Sequence, residues 1–155
     1  MIEAWNALGL DAAVFGNHEF DFGPEVLRRR MRESRFPWLG ANVVEPGSRH
    51  VWGGAQAALV REWSGVRVGM VGVTLPRTAR SSNPGSGMVF EAPAEPARRA
   101  LDELGVLDLR VALTHLELAQ DRALAGADPL TPAALALGSL GSRRNYMIRR
   151  RASLP

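Results

Sequence analysis

A chain of 155 residues with 46% hydrophobic content carries enough apolar surface for one domain with a real core and is short for two. It contains no cysteine, which excludes a disulfide framework and a thiolate metal site and leaves oxygen and imidazole groups as the metal donors. The net charge of +3 arises from 19 basic residues, all arginine, and no apolar run approaches the roughly 18 residues that span a bilayer.

Arginine without lysine, beside abundant alanine, glycine and proline, fits a GC-rich codon bias. Five arginines crowd the C-terminus at Arg143, Arg144, Arg149, Arg150 and Arg151. Such a cluster suits a polyanion, yet only Tyr146 stands among them to stack a base, so a nucleic acid is the less favoured partner. The opening Met1-Ile2-Glu3-Ala4-Trp5 lacks the basic, apolar and small-residue order of a signal peptide. The chain reads as soluble, with its compartment and oligomeric state open.

Ile2, Trp5 and Leu8 approximate helical spacing and Gly9 closes that segment. Asp11 to Phe15 reads as a short buried strand, and Pro24 opens a helix through Ser34 with Val26, Leu27 and Met31 facing inward. Phe36 to Val44 reads as one extended segment, followed by a turn at Pro46-Gly47-Ser48. Ala57–Trp63 and Val66–Thr74 form a hairpin around Ser64-Gly65. Pro76 to Pro96, rich in Ser, Gly, Pro and Asn, reads as loop, with Arg77 and Arg80 as rim or merely solvated groups. Ala97 to Leu104 predicts a helix stopped by Gly105, Leu109 to Leu113 a buried strand delivering Thr114-His115, and Leu116 to Ala125 a last helix. From Gly126 to Pro155 the periodicity dissolves. Alternating strands and helices without an internal repeat favour one α/β domain with its site at strand ends.

Between the first strand and the second helix stands Gly16-Asn17-His18-Glu19-Phe20-Asp21-Phe22-Gly23. It concentrates an amide, an imidazole and two carboxylates at one strand end, which a core has little use for. Hydrolysis of a phosphate ester by two metals needs hard oxygen ligands, imidazoles, and an acid beside the leaving oxygen. An Asn17 amide oxygen can bind a divalent ion without adding charge, and His18 can give a proton or hydrogen bond to the transferring phosphoryl group. Asp21 can hold the His18 ring in one tautomer, and His115 adds an imidazole from a separate strand. Taken singly, Asn17 and Asp21 equally suit turn capping, and His115 suits an imidazole satisfied by backbone. His50, in a Gly and Ser turn, reads as surface.

The order G-N-H-E-F-D-F-G resembles the asparagine-histidine motif of the calcineurin-like metallophosphoesterases, and its E-F-D-F-G continuation resembles their 5'-nucleotidase branch. The likeness extends to N-A-L-G-L-D-A-A-V-F before the loop, to F-P-W-L-G-A-N-V at 36–43, and to V-G-M-V-G-V-T and V-A-L-T-H-L, in the family's order. It implies an α/β sandwich of mixed sheets flanked by helices, and hydrolysis of nucleotide phosphate monoesters through metal-activated water. It also implies two divalent ions, with Mn, Zn, Fe and Co all compatible with such ligands. By that likeness Asn17 and His115 are metal ligands, His18 and Asp21 the transition-state and leaving-group pair, and Asn42 a neighbour of the substrate phosphate. Many relatives are exported or surface-associated.

Two departures accompany the likeness. The family carries D-x-H and G-D on strands before the region where this chain starts, and G-G-H-x-H where this chain reads Leu137-Gly138-Ser139-Leu140-Gly141-Ser142-Arg143. The expectation is therefore a partial catalytic domain at 2–125 followed by an aberrant or poorly ordered tail at 126–155, with a reading-frame shift over 126–144 as its cause. Two alternatives accompany this one: a catalytically inactive remnant with a packing or interaction role, and the arginine-rich nucleic-acid binder.

Overall fold

The computed structural model describes residues 1–126, 134–137 and 147–149. Its first unit is α1 (Ile2–Leu8), β1 (Leu10–Val14), a 3-10 turn at Asn17–Phe20 and α2 (Pro24–Glu33). Gly9 ends α1 with φ 66°, the left-handed conformation that a residue without Cβ adopts at no steric cost. Pro24 sits at the first position of α2, where its missing N–H has no intrahelical partner to lose. β1 pairs in parallel with β2 (Trp38–Leu39), and the hairpin of β4 (Ala58–Trp63) and β5 (Val66–Thr74) leads into a second sheet. There β5 lies parallel to β7 (Leu109–His115).

Period-two alternation sorts the strand residues into layers. Ala12 and Val14 of β1 face Met70, Val68, Val111 and Leu113 of the second sheet. Ala13 and Phe15 turn the other way, into a cluster with Ile2, Trp5, Leu27, Trp38 and Trp52 beneath α1 and α2. On the far side Val71, Val73 and Ala112 pack against Ala97, Ala100 and Leu101 of α4 (Ala94–Asp102). Two sheets thus stack face to face with helices outside both, the α/β sandwich expected from the sequence. Each fully buried Val, Leu or Phe in these layers stabilises by about 1.5–3 kcal/mol relative to exposure.

Several elements differ from the sequence expectation. The extended segment at 36–44 is split into β2 and β3 (Val43–Val44), which belong to different sheets. Gly40 makes the break: a Cβ there would stand 2.6 Å from the Phe15 ring, and the Gly40 N–H turns aside to the Gln56 carbonyl at 2.9 Å. The supposed loop at 76–96 contains α3 (Thr78–Ser81), the strand β6 (Val89–Phe90) paired with β3, and the start of α4. Pro96 does not prevent that helix because it lies in the first turn, where backbone N–H groups are unpaired anyway. The last helix, α5, runs Leu118–Gly126. Within 126–155, β8 (Ala134–Leu137) extends the second sheet parallel to β7, and β9 (Met147–Arg149) pairs antiparallel with β1. The remainder of that segment, including Arg143, Arg144, Tyr146, Arg150, Arg151 and positions 138–143, lies outside the described residues. No described helix is long and apolar enough to cross a membrane.

Candidate active site

The site forms where the carboxyl ends of β1 and β7 come together. Gly16 follows Phe15 in extended conformation, and its N–H donates to Glu19 Oε2 at 2.7 Å. A Cβ on Gly16 would lie 2.8 Å from that carboxylate oxygen and 3.2 Å from the His115 ring. Glycine is favoured here by close approach rather than by backbone angle, since its φ of −100° is open to any residue. The 3-10 turn that follows is anchored by Phe20, fully buried, with its ring 5.5 Å from Phe15 and 5.2 Å from Phe90. Of the motif's two phenylalanines only Phe20 is spent on the core, while Phe22 is exposed, and the polar neighbours of Phe20 remain at the surface of the turn.

Two polar pairs result. His115 ends β7, and its Nε2 stands 2.8 Å from Asn17 Oδ1. His18 Nδ1 stands 2.8 Å from Asp21 Oδ2, with 68% of the His18 side chain exposed. Burial, and secondarily the neighbouring charge on His18, lower the His115 pKa below the ordinary histidine value. His115 is therefore neutral at physiological pH; in this contact its Nε2–H donates to Asn17 Oδ1, and an ion held between the two would take the other tautomer, with the proton on Nδ1. Arg77 joins the loops after β5 and β7 through Nη1 to Glu117 Oε1 at 2.9 Å.

Asn42 does not join these residues and is a correction to the sequence reading. It is fully buried, its Oδ1 accepts the Thr74 N–H at 2.9 Å, and its Nδ2 donates to the Thr74 and Glu91 carbonyls, both at 2.8 Å. Its amide is consumed by backbone, so nothing remains for a substrate phosphate. Its effect is indirect, because Thr74, whose backbone it brackets, donates its hydroxyl to the Phe15 carbonyl just before the motif.

One residue near the site escaped the sequence reading. Asp121, on α5, is 4% exposed and accepts the Thr114 hydroxyl at 2.7 Å through Oδ1, while Oδ2 is buried without a partner among the described residues. The signal was present as a carboxylate in the first turn of α5, seven residues after Thr114. Burial raises its pKa above the ordinary carboxylate value, and the Thr114 bond opposes that rise. A raised folded-state pKa means that the folded protein holds this proton more tightly than the unfolded one. The stability this contributes is present below the ordinary carboxylate pKa and is lost as pH rises through the raised value. Asp121→Asn keeps an acceptor for Thr114 without the buried charge. It is expected to unfold at equal or higher urea concentration than the parent at pH 7, with the difference shrinking at pH 4. A clearly lower midpoint at pH 7 would show that the charge is paired.

No family model matches the chain. Mouse 5'-nucleotidase is 35% identical over 125 residues, 77% of this chain and 22% of that protein. Protein UshA of Salmonella pullorum is 32% identical over 116 residues, 72% of this chain and 21% of its own. A solved 5'-nucleotidase precursor from Thermus thermophilus superposes with a TM-score of 0.66 at 37% identity, over 74% of this chain and 23% of that one. The chain is related to the 5'-nucleotidases over about three quarters of its length. The phosphoesterase YfkN of Bacillus subtilis, at 23% identity, shares the fold with a TM-score of 0.73 over 87% of this chain. The chain spans about a fifth of the length of the curated relatives it matches.

Proposed function

We propose that this protein acts as a metal-dependent phosphoric ester hydrolase on nucleotide monophosphates. The observation that carries the reading is the convergence of Asn17 Oδ1 and His115 Nε2 to 2.8 Å from two strand ends, with the His18 and Asp21 pair beginning at the adjacent residue. Two donors on one ion at roughly 2.0–2.2 Å stand about 3 Å apart, so an amide oxygen and a neutral imidazole in this position fit one edge of a divalent ion's shell. Mn, Zn, Fe and Co all accept that donor pair. When bound, such ions polarise phosphoryl oxygens and lower the pKa of an attacking water.

The chain's own groups supply the rest of the reading. Asn17 presents oxygen without net charge, so it would not offset a bound ion's positive charge toward a phosphate dianion. Asp21 accepts from His18 Nδ1–H and orients the ring, so that Nε2 is the nitrogen left to face the phosphoryl or leaving oxygen and to carry a proton to it. The competing reading is an inactive remnant. One observation favours it: among the described residues no group of three or more His, Cys, Asp or Glu side chains is placed to hold a metal.

One experiment separates the two. Metal-free protein is supplied with Mn²⁺ or Zn²⁺, bound metal is counted, and phosphate release from a nucleoside 5'-monophosphate is followed. The expected result is ion-dependent release that falls at least tenfold in Asn17→Ala and in His115→Ala. Folded protein that releases no phosphate with either ion would establish the remnant.

A further inference from the structure

The segment from Pro76 to Gly87 is seated on the Asn17–His18 turn. Its α3 end is fixed by Thr78, fully buried, whose N–H donates to the Leu75 carbonyl at 3.0 Å. Its other end is fixed by buried Pro84 and by Met88, which enters the cluster containing Phe20. Gly85 packs on Pro24 at the start of α2, where a Cβ would stand 3.6 Å from the proline ring. Between these anchors the Ser82 hydroxyl donates to the Asn17 main-chain carbonyl at 2.6 Å.

That carbonyl belongs to the peptide joining Asn17 to His18. A peptide unit is planar, so fixing its direction constrains the rotation that sets the Cα–Cβ bonds on both sides. One side chain faces His115 and the other is held by Asp21. The preceding backbone is pinned by the Gly16 N–H to Glu19, and the Asn17 carbonyl also lies within the 3-10 turn Asn17–Phe20; Ser82 adds to it a side-chain donor from outside that turn. From this geometry we infer that Ser82 is a positioning residue for the site, orienting the Asn17 amide and the His18 imidazole together through the one peptide they share. The inference rests on the proposed phosphoesterase reading and adds a residue to that same site.

The test uses the full chain with Ser82→Ala, Ser82→Thr and Ser82→Cys. Threonine keeps the hydroxyl, and the extended backbone at this position (φ −140°, ψ −168°) suits a β-branched residue. Cysteine keeps the shape with a weak donor. The readouts are the imidazole ¹⁵N resonances of His18 and His115 in metal-free protein, Zn²⁺ affinity, and thermal unfolding. Alanine and cysteine are expected to shift both imidazoles and weaken Zn²⁺ about tenfold, as loss of a group that orients a ligand does, while threonine behaves as the parent. Unchanged imidazole resonances and unchanged Zn²⁺ affinity in folded Ser82→Ala overturn the inference, even if the parent hydrolyses nucleotides. Where alanine unfolds the chain, the cysteine variant decides on the same criteria. Shifted resonances in a protein that hydrolyses no phosphate ester leave Ser82 in this role and remove the proposed reaction instead.

Discussion

Replacing His18 with alanine is expected to lower nucleotide turnover by about 10²–10⁴-fold, the range over which a positioned proton donor acts, while leaving bound metal unchanged. The separation of effects follows from geometry. Asn17 Oδ1 faces His115, whereas His18 Nδ1 faces Asp21, so the two adjacent side chains engage different partners. His18 is largely exposed, so its removal costs little stability. The role can be refined by the leaving group. An aryl phosphate departs as a stabilised anion and needs little protonation, whereas a nucleoside alkoxide needs a proton. A larger loss on the nucleotide than on the aryl ester marks His18 as the leaving-group acid. Equal losses mark it as a donor to the phosphoryl oxygens, and undiminished turnover on both would remove it from the chemistry. Asp21→Asn is expected to cost less than His18→Ala, because the exposed ring keeps its donor and loses only its orientation.

The largest effect on structure is expected from Gly72→Ala. Gly72 lies in β5 where the two sheets touch: its carbonyl accepts the Ala41 N–H at 2.7 Å and its N–H reaches the Ala57 carbonyl at 3.4 Å. An added Cβ would stand 2.4 Å from Leu39 Cβ and 2.7 Å from the Leu39 carbonyl carbon. Backbone cannot step aside as a flexible side chain can, so the methyl forces β2, and β1 paired with it, away from β5. Overpacking of this kind costs about 1–3 kcal/mol and occasionally more, and the backbone contact places Gly72 at the upper end. At roughly 2–4 °C per kcal/mol for a chain of this size, the melting temperature should fall by about 10 °C. Because β1 leads into the turn that carries Asn17 and β5 is in register with β7, Thr74 opposite His115, Zn²⁺ affinity should fall with it. A melting temperature within about 2 °C of the parent would show that the sheets accommodate the methyl group and that this contact does not set their separation.

How much of this was legible in the sequence depended on whether the relevant residues were neighbours along the chain. His18 and Asp21 are three positions apart, and a turn of that length brings them together whatever the rest of the protein does. The strands β5 and β7 were legible because near-continuous Val, Ala and Leu describe a layer buried on both sides. Pro76 to Pro96 was misread because Ser, Gly, Pro and Asn carry no period, although their backbone forms a turn of helix and a two-residue strand held by distant partners. Asn42 was misassigned for a related reason. An asparagine beside a strand suits a substrate and a backbone bracket equally, and only the position of Thr74 decides between them.

By itself the sequence determined the α/β class, the contiguous asparagine-histidine loop and the absence of thiol chemistry. These are properties of composition, of period, and of side chains a few bonds apart. The tertiary structure decided that Asn17 meets His115 across 98 positions, that Asn42 serves backbone, and that Ser82 reaches the peptide between Asn17 and His18. The physical reason is that such contacts depend on how closely two sheets approach and where their strands end. The close approach at Gly16, Gly40 and Gly72 is set by atoms that a glycine lacks, and a one-dimensional pattern does not record what fills the space beside it.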